Sequence, residues 1–127
     1  MSSKTVKTES ALKKAIESGV EEIIITDPDL IKKVHRLKQA KKASAAALTI
    51  AVGLIIAAAA AAPFTGGMSL VAAAPIAAGT GLSAGTIIAI AALITLGTVA
   101  IIAIMNDYEE IEISTNPPKL KLKKKSA

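Results

Sequence analysis

A stretch of 64 residues without a charged side chain, from Ala43 to Asn106, constrains this chain of 127 residues more than any other feature. All fifteen cations and all ten anions lie outside it. Nearly every helix at a protein surface needs one polar face in water, whereas a helix surrounded by lipid does not. The stretch therefore predicts an integral membrane protein built from one domain's worth of chain.

The rest of the composition favours the same class. The chain is 52% hydrophobic but only 2% aromatic, although aromatic side chains normally supply much of a core. It has no cysteine, which excludes disulfides and thiolate metal sites. Its start is polar, so we expect no cleavable secretory signal. The net charge is +5, but the lysine clusters lack interleaved aromatics, and nucleic acid is not an expected partner.

The two polar ends predict a small cytoplasmic α/β base. In residues 1–27 a helix over 10–18 precedes a strand over 20–26, which is rich in β-branched residues. Residues 106–127 alternate Glu with Ile and then Lys with Leu, which predicts one or two strands and a Lys-rich tail. We expect Glu110 and Glu112 to face lysines 119, 121 or 123 across a strand pair.

The uncharged stretch divides into two predicted spans. Asp27 and Pro28 suit the N-cap and first position of a helix that runs as a basic juxtamembrane stalk over 28–43. The stalk continues without a break into transmembrane helix 1 over 44–62. Transmembrane helix 2 covers 81–105, which is long enough to cross a bilayer with some tilt.

The segment between the spans, 63–80, is too short to cross and predicts a re-entrant or interfacial apolar loop. The fold class is thus a mainly α membrane protein, a two-span transmembrane helical hairpin with a re-entrant loop and an α/β base. The positive-inside rule places both termini in the cytoplasm and the protein in the inner membrane. Lys38, Lys41 and Lys42 are then expected to contact lipid headgroups.

Small residues recur along both predicted spans and indicate close helix packing, because they let backbones approach. The predicted helix-packing or oligomer interface comprises Gly53, Ala57, Ala60, Gly81, Gly85, Ala89 and Ala92. Two interpretations remain open: the stripe joins copies of the chain in a homo-oligomer, or it only closes the hairpin within one chain.

Over residues 44–105 the Ala/Gly-rich composition resembles the hydrophobic hairpin of pore-forming colicins and small glycine-zipper membrane proteins of bacteria. The predicted function is accordingly a homo-oligomeric membrane pore or membrane-perturbing effector, of the toxin or anti-phage defence type. Thr86, Thr95 and Thr98 are candidate pore-lining residues. Alternatively, each hydroxyl simply bonds a carbonyl one turn back.

Two other functions remain open. One is a non-conducting structural or anchoring membrane protein whose base recruits a cytoplasmic partner; the other is an assembly that buries its hairpins until triggered.

We predict no enzyme and no cofactor, because no nucleophile–base pair or metal-ligand cluster is evident. The glycines over 79–85 have no nearby lysine, so no phosphate site is expected there. His35, the only histidine, is predicted to be a surface residue without a carboxylate partner.

Overall fold

A four-stranded mixed sheet brings the first and last thirds of the sequence together. The computed structural model describes residues 2–40, 44–61 and 70–125. The strands lie in the order β1-β2-β4-β3, with β1 parallel to β2 and the other two pairs antiparallel. Their bounds are β1 Ser3–Val6, β2 Glu22–Ile25, β3 Tyr108–Thr115 and β4 Pro118–Lys124.

Six α-helices cover the sheet and extend away from it in the described part of the chain. The first two along the chain carry charged side chains, and the other four carry none. Their bounds are α1 Glu9–Glu17, α2 Pro28–Gln39, α3 Ala45–Ala61, α4 Leu70–Thr80, α5 Ala84–Ala92 and α6 Gly97–Asn106, with a 3₁₀ turn over Ile94–Leu96 between the last two.

The helix ends of the base follow from local side-chain chemistry. Asp27 caps α2 by accepting a hydrogen bond from the Leu30 N–H at 2.9 Å, and Pro28 occupies the first turn, as predicted. The cap of α1 is Thr8, whose hydroxyl accepts from the Ala11 N–H at 3.1 Å. Gly19 follows α1 with φ of +70°, a conformation that favours glycine and turns the chain toward β2.

One hydrophobic core joins the sheet to the helices. Ile23 and Ile25 of β2 pair with Leu122 and Leu120 of β4, and all four side chains are fully buried. The alternation along both strands places these residues on one face of the sheet. The same cluster continues through fully buried aliphatic residues of the helices, among them Leu12, Leu37, Leu48, Ile55, Ile87, Ile90, Leu93, Leu96 and Ile101.

The prediction of a two-span transmembrane hairpin is wrong. The molecule has an α/β fold, and no single helix among the described residues is long and apolar enough to cross a bilayer. Only the pair Ala84–Ala92 and Ile94–Asn106 reaches the required length and apolar composition together, and a 59° bend separates its two parts. The predicted transmembrane helices are therefore wrong. The predicted pore or ion channel that they would form is wrong as well, and so is the predicted location in the inner membrane.

The first predicted span fails because the long helix is two helices. α2 ends at Gln39, and Ala40 adopts an extended conformation with ψ of 151°. Ser44 then accepts a hydrogen bond from the Ala47 N–H at 3.2 Å and caps a new helix, α3. At 17 residues α3 is about 26 Å long, which is shorter than the hydrocarbon core of a bilayer.

The second predicted span is broken where α1 docks. The Thr95 hydroxyl donates to Glu9 Oε1 of α1 at 3.1 Å, while Leu93 and Leu96 on either side are buried. Gly97 takes a φ of +86° and starts α6 in a new direction. The predicted re-entrant loop over 63–80 contains a helix, α4, and residues 63–69 of that loop lie outside the described part of the chain.

Candidate functional site: the α3 face and the α2–α5 cleft

The outer side of α3 is an exposed apolar surface. Its exposed side chains from Thr49 to Ala57 fall within an arc of about 160° when each residue turns the helix by about 100°. Ile50 is 56% exposed, Leu54 42% and Ile56 50%. We call this surface the α3 face and define it as Thr49, Ile50, Gly53, Leu54, Ile56 and Ala57.

The α3 face carries no charge. α3 contains no ionisable side chain, and the Thr49 hydroxyl donates to the Ala45 carbonyl at 2.7 Å within the same helix. The opposite side of α3 is used by the fold, because Leu48, Ala51 and Ile55 are fully buried. The α3 face is therefore a large apolar surface that the described part of the molecule leaves uncovered.

The predicted small-residue interface is divided between buried and exposed positions. Gly53 and Ala57 lie on the α3 face, Gly81 and Gly85 are exposed, Ala89 is buried and Ala92 is half-buried. The side chain of Ala60 lies outside the described residues.

The surroundings of the glycines bear on the two interpretations of the stripe. A Cβ built on Gly53 or Gly81 meets nothing within 4 Å, and one on Gly85 meets only Ser83 Oγ at 3.9 Å. The fold itself therefore does not require glycine for close packing at these three positions. Ala89, in contrast, is 1% exposed and packs inside the chain.

The three candidate pore-lining threonines lie in three different environments. Thr86 is 4% exposed, and its hydroxyl lies 2.8 Å from Ser83 Oγ. Thr95 is exposed and bonds Glu9, and Thr98 is half-buried on α6. The structure does not bring them together as one lining.

Lys38 has a structural contact in place of the predicted contact with lipid headgroups. Its ammonium group donates to the carbonyl oxygens of Ile104 at 2.9 Å, Met105 at 3.5 Å and Tyr108. The carbonyls of Ile104 and Met105 lie in the last turn of α6, where backbone acceptors lack partners and a cation is favoured by the helix dipole, and Tyr108 is the first residue of β3. Lys41 and Lys42 lie outside the described residues.

His35 is not the unpartnered surface residue that the sequence predicts. Its Nδ1 lies 2.8 Å from Glu110 Oε2 and 3.0 Å from Glu110 Oε1. A β-bulge at Ile111 explains this contact: Glu110 pairs with Leu122, so it faces the helices, whereas Glu112 pairs with Lys121. No local pattern indicates a bulge here, and the two partners are 75 positions apart.

The predicted charge pairing across β3 and β4 is confirmed for Glu112. Its carboxylate lies 3.0 Å from Lys119 Nζ, and this hydrogen-bonded cation lowers the pKa of Glu112 below its ordinary value of 4.5. Lys121 lies 3.2 Å from Glu22 of β2. The outer side of the sheet is thus held by charge pairs, in contrast to the uncharged α3 face.

A second surface feature lies between α2 and α5. Two cavities of about 250 Å³ and about 320 Å³ share Arg36 as a lining residue. We call them together the α2–α5 cleft. The first is lined by Asp29, Lys32, Lys33, Arg36 and Ala92, and the second by Arg36, Gln39, Ala40, Ser83, Gly85 and Thr86.

Comparison with known proteins yields one family. A family model described as Uncharacterised protein PM1101 matches residues 5–125, which include all six described α-helices and three complete strands of the sheet. No curated protein and no solved structure matches the chain.

Proposed function

Given that the chain belongs to this family, whose description names no activity, we propose from its geometry that it is a non-catalytic assembly protein that associates with a second copy of itself through the α3 face. The observation that carries the proposal is the exposure of Ile50, Leu54 and Ile56 on one uncharged helix face. Burial of such side chains against a partner is favourable by roughly 25 cal/mol for each Å² removed from water.

Electrostatics favour a second copy at this surface. Each copy carries a net charge of +5, so two copies repel one another at long range. The α3 face contributes no charge to either side of a contact. A two-fold axis through the α3 face would place the same apolar residues opposite one another, which is the usual arrangement of a homodimer.

The backbone of α3 is accessible for close contact. Gly53 belongs to the α3 face, and the space where its Cβ would lie is open. A helix from a second copy that crosses at Gly53 can approach more closely than one that crosses at a larger residue. Ala57, one helical turn further along, is also small and extends the part of the α3 face that a second helix can approach closely.

The area available predicts a weak and reversible complex. One face of a helix about 26 Å long contributes on the order of 300 Å² per copy. Two copies would bury about 600 Å², below the 1,200–2,000 Å² range (roughly) of stable specific interfaces. We therefore expect monomer at low concentration and dimer at high concentration.

Sedimentation velocity of the full chain, from about 1 μM to about 1 mM, tests the proposal. The average mass of the wild-type chain is expected to rise with concentration, and Ile50→Lys is expected to hold the chain as a monomer. Ile111→Lys is the matched control, because Ile111 is 47% exposed on β3 and the same charge is introduced away from α3.

Three results would overturn the proposal. The first is a wild-type chain that remains monomeric over the whole range. The second is an equal loss of association in Ile50→Lys and Ile111→Lys. The third is a monomer that binds phosphatidylcholine vesicles in a manner abolished by Ile50→Lys, since the α3 face would then be covered by lipid and not by a second copy.

The remaining functional expectations stay predictions. The absence of catalysis, the recruitment of another protein by the base, and a role as a toxin or anti-phage effector are not decided by the fold. In the described residues no group of three or more His, Asp or Glu side chains is placed to hold a metal ion.

A further inference from the structure

We propose that the α2–α5 cleft binds an anionic ligand through phosphate chemistry. The proposal is independent of self-association, because no residue of α3 lines either cavity. It is carried by the cations of the cleft and by the two cavities, which share Arg36 as a lining residue.

Three cations of α2 line the cleft without ion-pair partners. Lys32, Lys33 and Arg36 face the cavity of about 250 Å³, together with a single carboxylate, Asp29. Within residues 2–40, 44–61 and 70–125, none of the three cations forms an ion pair. The lining therefore has a net positive charge, which an anion would neutralise.

Arg36 lines both cavities of the cleft. Its guanidinium group carries five N–H donors in a planar fork, which matches the oxygen atoms of a phosphate group. Gln39 on the same helix lines the second cavity and adds amide donors. A phosphate group beside Arg36 would thus reach donors in both cavities.

The far wall of the cleft supplies more donors of the same kind. Ser83 and Thr86 share one hydrogen bond between their hydroxyl groups, which leaves one hydroxyl proton of the pair to donate. Gly85 has no side chain to cover its backbone, and its N–H lies in the first turn of α5, where amides lack intrahelical acceptors. These groups supplement the cations and do not carry the proposal by themselves.

The fold creates this combination from distant parts of the sequence. The glycines over 79–85 have no cation near them in the chain, and the sequence accordingly predicts no phosphate site. The packing of α2 against α5 places Arg36 in the same cavity as Gly85. The proposed site therefore arises from the tertiary packing of α2 and α5 and not from a pattern within one segment of the sequence.

Titration of the full chain with pyrophosphate, followed by amide NMR at constant ionic strength, tests the proposal. We expect saturable shifts at the Gly85 amide and the Arg36 side-chain N–H. Arg36→Gln is expected to weaken binding by about tenfold or more, which is the effect of losing one charge-assisted contact. Gly85→Ala is expected to weaken it severalfold, and its Cβ has room in the fold.

The matched control is Lys13→Gln, which removes one exposed cation from α1 and leaves the cleft unchanged. Binding that weakens equally in Arg36→Gln and Lys13→Gln would reflect overall charge and would overturn the proposal. Shifts confined to the lysines of β4, or the absence of saturable binding, would also overturn it. Unchanged thermal unfolding of Arg36→Gln would establish that lost binding is not lost folding.

Two further titrations distinguish the source of the phosphate group. Vesicles of phosphatidylglycerol and of phosphatidylcholine are compared with pyrophosphate, each with the wild-type chain and Arg36→Gln. Arg36-dependent binding of pyrophosphate but of neither vesicle identifies a free phosphate compound. Arg36-dependent binding of phosphatidylglycerol vesicles identifies a lipid headgroup, and failure of all three ligands to bind rejects the cleft as a phosphate site.

Discussion

His35 on α2 and Glu110 on β3 lie 2.8 Å apart and form a side-chain contact between the second helix and an edge strand of the sheet. The side chains are 32% and 21% exposed, so the pair is shielded from water but not removed from it. It exists because the bulge at Ile111 turns Glu110 toward the helices while Glu112 stays on the other side.

Removal of this contact is expected to lower the free energy of unfolding. Glu110→Ala should cost about 1 kcal/mol in urea denaturation, since it deletes a half-buried, charge-assisted hydrogen bond. Glu109→Ala is the control, because Glu109 is the exposed neighbour on the same strand. Equal midpoints for the two variants would show that the pair contributes nothing.

Lys38 of α2 is expected to stabilise the C-terminal end of α6. Lys38→Met keeps much of the aliphatic chain but leaves the carbonyls of Ile104 and Tyr108 without their ammonium donor. The expected loss is about 1–3 kcal/mol, measured by urea denaturation. Lys13→Met, which changes an exposed lysine on α1, should change stability by less than about 0.5 kcal/mol. A Lys38→Met variant as stable as the control would contradict the capping role.

Tyr108 should make stability depend on pH in the alkaline range. Burial, and secondarily the nearby carboxylate of Asp107, raises the pKa of Tyr108 above its ordinary value of 10.0. Because the folded pKa is raised, the resulting stability is present below pH 10.0 and is lost as pH rises through the folded pKa.

This dependence can be measured directly, because Tyr108 is the chain's single tyrosine. Tyrosinate absorbance should rise at a higher pH in the native chain than in urea. Tyr108→Phe should unfold more easily at neutral pH, because it loses the hydrogen bond from the phenol to the Val20 carbonyl. It should also lose the tyrosine-dependent part of the alkaline decline. Coincident native and denatured titrations would exclude the effect.

Two glycines should respond in opposite directions to alanine. Gly53→Ala should raise the free energy of unfolding by about 0.5–1 kcal/mol, because Gly53 is helical and its Cβ site is open. Gly97→Ala should lower it by about 1 kcal/mol or more, because Gly97 has a φ of +86°. Thermal unfolding of both variants provides the measurement. Destabilisation by Gly53→Ala would mean that the glycine is needed within the chain.

Helix α1, strands β2, β3 and β4 and the start of α2 could be predicted from sequence because their signals are local, whereas β1 was not predicted. Asp27 and Pro28 specify the start of α2 through one hydrogen bond and one fixed dihedral angle, and both are observed. The alternation in β3 predicts a strand, and the expected Glu112 pairing with β4 is present. Such features depend on residues within a few positions of one another or on a simple strand register.

The helical part could not be predicted in the same way. A long uncharged stretch indicates an apolar environment but does not say what supplies it. Here much of that environment comes from other helices: Leu48 and Ile55 of α3 are covered within the same core cluster as Ile87 and Ile101. The helix break after Gln39 contains no glycine or proline, and only Ser44, a favourable N-cap residue, marks it.

The two candidate sites differ in the same way in how far the sequence predicts them. The α3 face could be anticipated in part, since Gly53 and Ala57 belong to the predicted small-residue stripe. The α2–α5 cleft could not, because Arg36 and Gly85 are brought together only by packing. The bulge that pairs Glu110 with His35 has no local signature either.

The pairing of β2 with β4 has a consequence for how the fold is reached. Glu22–Ile25 lies beside Leu120–Lys123, so nearly all of the helical sequence forms one large loop between two adjacent strands. Closing that loop costs entropy that the two short strands alone cannot offset, and topologies of this kind fold slowly. We therefore expect helix formation and collapse to precede the pairing of β2 with β4, so that the sheet closes last.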